Sequence, residues 1–137
     1  MVLPILAVKD ISASIDFYCN KLAWHKVFEM PAEGGGVSFA MVSLRDGVMF
    51  GLSRMDAPEP KGQGVALMCY VSDDADIDAY YAQCEGRGIN VTQEIKDEYW
   101  GDRCFAVGDP DGYYVQICKT VKHMAPEDIT AAARSAS

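Results

Sequence analysis

Histidine is nearly missing from these 137 residues: His25 and His123 are the two present. A metal centre built from several imidazoles is excluded, because such centres draw three or four donors to one point. Positive charge is short as well. Lys and Arg total 12 against 20 Asp and Glu, a formal net charge of −8, which repels phosphate backbones and sets nucleic acid aside as a partner. No apolar run approaches the roughly 18–20 residues that span a bilayer, and the N-terminus lacks the basic-then-apolar layout of a signal peptide. No membrane partner and a cytoplasmic location are therefore expected. The cysteines, at 19, 69, 84, 104 and 118, are odd in number and contain no C-x-x-C pair, which argues against a disulfide framework and a structural zinc site. The run Gly34-Gly35-Gly36 lacks the lysine and helix of a phosphate loop and reads as a turn.

What is present is the composition of a folded chain: 50% hydrophobic and 23% charged residues, at a length that fits one domain, 1–137. The chain also repeats itself. Val8-x-Asp10 followed by Ile15-Asp16-x-Tyr18 returns as Val71-x-Asp73 followed by Ile77-Asp78-x-Tyr80, offset by 62 or 63 residues. Phe39-Ala40 leading to Asp46-Gly47 returns as Phe105-Ala106 leading to Asp111-Gly112, offset by 65 or 66. The same order at nearly constant offset divides the chain into module one, 1–53, a Pro/Gly-rich linker, 54–63, and module two, 64–119.

Each module reads βαβββ. In the first, Leu3 to Val8 is a short apolar run, and Ile11, Ile15, Tyr18 and Leu22 then recur at helical spacing. His25 to Met30, Val37 to Leu44 and Val48 to Ser53 are β-branched or aromatic runs broken by glycines and the Asp46-Gly47 turn. In the second, strand Val65 to Val71 precedes a helix from Ile77 to Glu85 and strands Ile89 to Ile95, Cys104 to Val107 and Tyr113 to Cys118. A last helix, 125–134, opens on Pro126-Glu127-Asp128, acids favoured in a first turn.

The duplication, the opening Leu6-Ala7-Val8-x-Asp10-Ile11-x-x-Ser14-Ile15-x-Phe17-Tyr18 and the closing Asp109-Pro110-Asp111-Gly112-Tyr113-Tyr114-Val115-Gln116-Ile117 resemble the vicinal oxygen chelate superfamily. That group contains glyoxalases, bleomycin resistance proteins and extradiol dioxygenases. The resemblance implies an α+β fold in which two βαβββ modules form a cup-shaped mixed sheet with helices on the outer face. It also implies ligand positions for a metal on the first and last strand of each module, which fall here on Leu3, Gly51, Ala66 and Gln116. One neutral amide among four such positions cannot hold a divalent ion, so no metal and no other cofactor is expected there. His25 and Glu29 share a strand face but stand about 13 Å apart, too far to share an ion.

Alternation along the strands places Ile5, Met49, Met68, Tyr70, Tyr114, Gln116 and Cys118 on the face of those vacant positions. Trp100 and Arg103, with Tyr99, come from the stretch before and into the seventh strand. Trp100-Gly101-Asp102-Arg103-Cys104-Phe105 is similar to the tryptophan-glycine loop of bleomycin resistance proteins, which implies a metal-free, acidic homodimer that sequesters cationic drugs. The seven on that face together with Trp100 and Arg103 are the nine residues of the expected ligand-binding cleft: apolar, with stacking aromatics and a few polar groups. The cysteines read as small buried hydrophobes, with Cys118 the one candidate for a reactive thiol in the cleft. No catalytic residue is identified. The expected function is binding of a small apolar or aromatic molecule, with cationic ones favoured by the charge, as in a drug-sequestering resistance protein. Two alternatives stand beside it. One is a divergent lyase, isomerase or transferase acting through Tyr114, Gln116 or Cys118, or through a metal held unconventionally; the other is a non-catalytic dimeric scaffold.

Overall fold

The computed structural model describes residues 2–57 and 61–136. Pro58, Glu59 and Pro60, the centre of the expected linker, lie outside them. The first half runs β1 (Ile5–Val8), α1 (Ile11–Ile15), β2 (His25–Pro31), β3 (Val37–Arg45) and β4 (Val48–Arg54). The second runs β5 (Ala66–Tyr70), α2 (Ile77–Gly86), β6 (Val91–Asp97), β7 (Asp102–Gly108) and β8 (Tyr114–Thr120), and α3 (Pro126–Ala136) follows. The strands form two mixed four-stranded sheets of the same order, β1-β4-β3-β2 and β5-β8-β7-β6, with the first strand of each half parallel to its last. The two halves therefore share one topology. No helix among the described residues is long and apolar enough to cross a membrane.

Local chemistry explains where the elements begin and turn. Asp10 and Asp76 occupy equivalent caps: each side chain accepts a backbone N–H, from Ala13 and Ala79 respectively, and so satisfies a donor the helix leaves open. Gly47, at φ 81°, allows β3 to double back into β4 at the Asp46-Gly47 turn.

The expected continuous helix from Ile11 to Leu22 is corrected. α1 ends at Ile15 and widens into a π-helical turn, Asp16–Lys21, closed by i→i+5 bonds such as Leu22 N–H to the Phe17 carbonyl. The wider turn buries both Phe17 and Tyr18. β1 likewise begins at Ile5 instead of Leu3.

The helical faces of the two sheets share one cluster of buried side chains. Leu6, Val8, Val42, Phe50 and Leu52 from the first half join Cys69, Phe105, Val107, Val115 and Ile117 from the second. Tyr18 is its hub, against Phe17, Trp24 and Phe50 at ring separations of 5.0, 5.2 and 5.9 Å. Polar bonds cross between the halves inside this layer: Tyr18 Oη donates to Asp109 at 2.9 Å, Trp24 Nε1 to Tyr80 Oη at 3.1 Å, and Tyr113 Oη to the Ala7 carbonyl at 3.0 Å. A buried ion pair, Lys61 with Asp111 at 3.0 Å, ties the end of the linker to the turn before β8. With α1 and α2 packed into this core, to which α3 contributes no residue, neither of those two helices covers the opposite face of its sheet.

Candidate ligand cleft

The outward face of the first sheet is apolar. Pairing aligns Ile5 with Gly51, Gly51 with Met41 and Met41 with Phe28, and, one step along, Met30 with Phe39 and Phe39 with Ser53. Paired residues share a side, so these groups and Met49 form one surface. Ile5, Phe28 and Met30 are 46%, 49% and 46% exposed, unusual for large apolar side chains so close together.

The outward face of the second sheet has a polar, aromatic character. Met68 pairs with Gln116 and Tyr70 with Cys118 along β5 and β8, and Ala106 and Cys104 pair with Gln116 and Cys118 along β7 and β8. Asp102, Cys104, Ala106, Gln116 and Cys118 are all buried. Asp102, Cys104, Ala106, Gln116 and Cys118 stand apart from the shared hydrophobic cluster and form the floor of this face. Tyr70, Trp100 and Tyr114 are half-buried above it, and Tyr99, more exposed, meets Trp100 edge-on at 5.0 Å.

Asp102 organises that floor. Its Oδ2 accepts from Tyr70 Oη at 2.5 Å and from Trp100 Nε1 at 2.8 Å. Burial, then the bond to Asp102, pushes the Tyr70 phenol far above its ordinary value, and burial followed by the Glu98 charge raises Tyr114. Both therefore stay neutral, as stacking groups with a hydroxyl to offer. The bond to Cys104, and then burial, holds the Cys118 thiol well above its usual range, which opposes a role as a free thiolate nucleophile.

Of the nine cleft residues expected from the sequence, Ile5 and Met49 lie on the first sheet's outward face. Met68, Tyr70, Trp100, Tyr114, Gln116 and Cys118 gather on the second. Arg103 is corrected: strand alternation turns it to the helical side, where it binds Asp78 of α2 at 2.8 Å and Asp97 at 3.0 Å. It is a clamp between helix and sheet, not part of the cleft.

The family's metal positions can be tested on the donors they offer. Leu3 precedes β1, Ala66 is exposed, Gly51 has no side chain, and Gln116 supplies one amide. The space above Gly51 is also taken: a Cβ there would sit 2.5 Å from Ile5 Cδ1 and 3.0 Å from Phe39 Cζ. These residues do not fit a chelated divalent ion.

Sequence reasoning missed Asp102 and Cys104 as members of the floor. The signal was the alternation Asp102-x-Cys104-x-Ala106, but only the β7–β8 register shows that this row faces Gln116 and Cys118.

The model of the Glyoxalase/Bleomycin resistance protein/Dioxygenase superfamily matches residues 2–117. An uncharacterized Mycobacterium bovis protein is 28% identical over 141 residues, spanning 96% of this chain and 91% of its own. A bleomycin resistance protein of Staphylococcus aureus is 27% identical over 132 residues, spanning 88% and 96%. Among solved structures, TioX from Micromonospora sp. ML1 superposes with a TM-score of 0.69 at 20% identity, covering 91% of this chain and 99% of TioX.

Proposed function

The chain belongs to the glyoxalase/bleomycin resistance protein/dioxygenase superfamily, and from that premise we propose that it binds and sequesters a small apolar or aromatic molecule in the cytoplasm, without using the family's metal. The observation that carries this reading is the second sheet's outward face: three half-buried aromatic side chains, Tyr70, Trp100 and Tyr114, around a buried polar floor of Asp102 and Gln116. Sites for drug-sized ligands have this composition, mostly apolar walls with a few placed polar groups. Each stacked aromatic contributes about 0.5–1.5 kcal/mol beyond its burial.

The charge of −8 favours approach of cationic ligands, and a relative bearing the name bleomycin resistance protein supports the same class. The proposal includes a homodimer. The first sheet's uncovered face of Ile5, Phe28 and Met30 is the apolar wall that a second copy would bring over the aromatic one.

A thermal-shift panel of bleomycin-type and planar cationic drugs tests this. A true ligand at 100 times its dissociation constant stabilises the fold by about 2.7 kcal/mol. Trp100→Ala and Tyr114→Ala should each weaken binding by more than they lower stability. Equal losses would make these residues core, and silence across the panel, or a chain that sediments as a monomer at all concentrations, would sink the reading.

A further inference from the structure

Asp102 is 4% exposed, yet among the described residues no Lys, Arg or His forms an ion pair with it. Buried charges are paired or coordinate a metal. Its Oδ2 is occupied by Tyr70 and Trp100, while Oδ1 accepts no hydrogen bond from the described residues and is not sealed from solvent. Beside it stand two thiols, Cys104 and Cys118, both 0% exposed and directly opposite one another on β7 and β8. One carboxylate oxygen and the two sulfurs lie within 4.8 Å of one another.

We propose that Asp102, Cys104 and Cys118 form a binding site for a thiophilic divalent cation of the zinc class. Two thiolates around a tetrahedral zinc at about 2.3 Å stand about 3.7 Å apart, and a carboxylate oxygen slightly closer, so modest side-chain rotation closes the cluster on an ion. Two sulfurs and one oxygen select a soft or borderline ion over magnesium or calcium. Three protein donors leave a fourth position for water or a ligand. Binding releases both thiol protons, and the ion supplies the counter-charge that the carboxylate lacks. Tyr70 and Trp100 orient the carboxylate through its other oxygen, as outer-sphere partners do in metal sites.

The site is distinct from the family positions. Asp102 and Cys104 belong to the third strand of the second half, and Cys118 lies two residues beyond Gln116. It stands independently of the drug-binding proposal, since an ion can be held whether or not the aromatic face takes a ligand.

The test uses the full chain, purified under reducing conditions, stripped with a chelator and titrated with Co2+ and then Zn2+. The expected result is saturation at one ion per chain, with sulfur-to-cobalt charge-transfer absorption that Zn2+ abolishes. Cys104→Ser and Cys118→Ser should each lower zinc affinity at least about tenfold, and Tyr70→Phe, acting by positioning, about tenfold. Cys19→Ser should leave it unchanged. Alkylation mapping on the unaltered chain provides a readout that needs no variant: zinc should protect Cys104 and Cys118 during partial unfolding while Cys19 still reacts. Absence of the charge-transfer band, undiminished zinc binding in the Cys104→Ser/Cys118→Ser double variant, or protection confined to other cysteines would each overturn the proposal.

Discussion

Gly51 shows how a single position can decide whether a side chain fits. A side chain there would meet Ile5 Cδ1 at 2.5 Å and the Phe39 ring at 3.0 Å, so the apolar face has no room for one without rearrangement. Gly51→Ala should cost about 1–3 kcal/mol by overpacking. Because Ile5 is the nearer neighbour and its end is exposed, Ile5→Ala in the same chain should return most of that loss. Denaturant unfolding of both single variants and the double variant measures the coupling, and strict additivity would mean the two residues do not share the space. Asp109 illustrates a different constraint. Burial raises its carboxyl above the ordinary 3.8, against the lowering effect of bonds from Tyr113, Tyr18 and Asp111. The folded state therefore holds this proton more tightly than the unfolded chain. Its contribution is fully present below the unfolded value and declines as pH rises from about 4 through the raised value. Asp109→Asn keeps the acceptor for the backbone N–H groups and lets the Tyr18 hydroxyl reverse its bond. The variant should show a flatter stability profile across that window in urea melts; an unchanged slope would remove Asp109 as its source.

At the scale of elements, the π-helical turn is the feature that periodicity could not reveal. Ile11, Ile15, Tyr18 and Leu22 fit an ordinary helix, and nothing in their spacing distinguishes i→i+4 from i→i+5 bonding. The extra width follows from a tertiary demand, burial of Phe17 and Tyr18 side by side, which local propensity does not encode. The turn ends on Ala23 at φ 59°, the one non-glycine residue in left-handed backbone among those described. Ala23 is exposed, so Ala23→Gly removes the steric penalty without losing packing and should stabilise the fold by about 1 kcal/mol. An unchanged or lower melting temperature would show that the strain is relieved elsewhere. The strands were more legible, because turn residues and period-two alternation are local signals. Alternation correctly placed Tyr70, Tyr114, Gln116 and Cys118 together. It turns Arg103, whose nearness to Trp100 suggests the cleft, toward Asp78 instead. It also left Asp102 and Cys104 unnoticed, since cross-strand register is a long-range property that only the fold supplies.

For the whole molecule, duplication raises the question of whether half of it is a folding unit. Each half carries its own sheet with identical order, which by itself would suggest independence. The distribution of buried groups points the other way. Each sheet packs against its own helix, α1 on β3 and β4 and α2 on β6, but polar bonds tie the two halves together: Tyr18 reaches Asp109, Trp24 reaches Tyr80, and Tyr80 Oη donates to the Leu22 carbonyl at 2.6 Å. Separation would open the single cluster to which Leu6, Val42, Phe50 and Leu52 contribute from one half and Phe105, Val107, Val115 and Ile117 from the other. At about 1.5–3 kcal/mol for each fully buried large apolar side chain, these eight together represent about 12–24 kcal/mol, so losing a good part of their burial rivals the roughly 5–15 kcal/mol of a typical fold. Residues 1–57 and 61–137 expressed separately should therefore lack a cooperative thermal transition. Mixed or co-expressed, they should recover one, because the bonds between them do not require the connecting segment. A cooperative melt from either fragment alone would show the halves to be autonomous, and the shared core to be an interface between two finished modules.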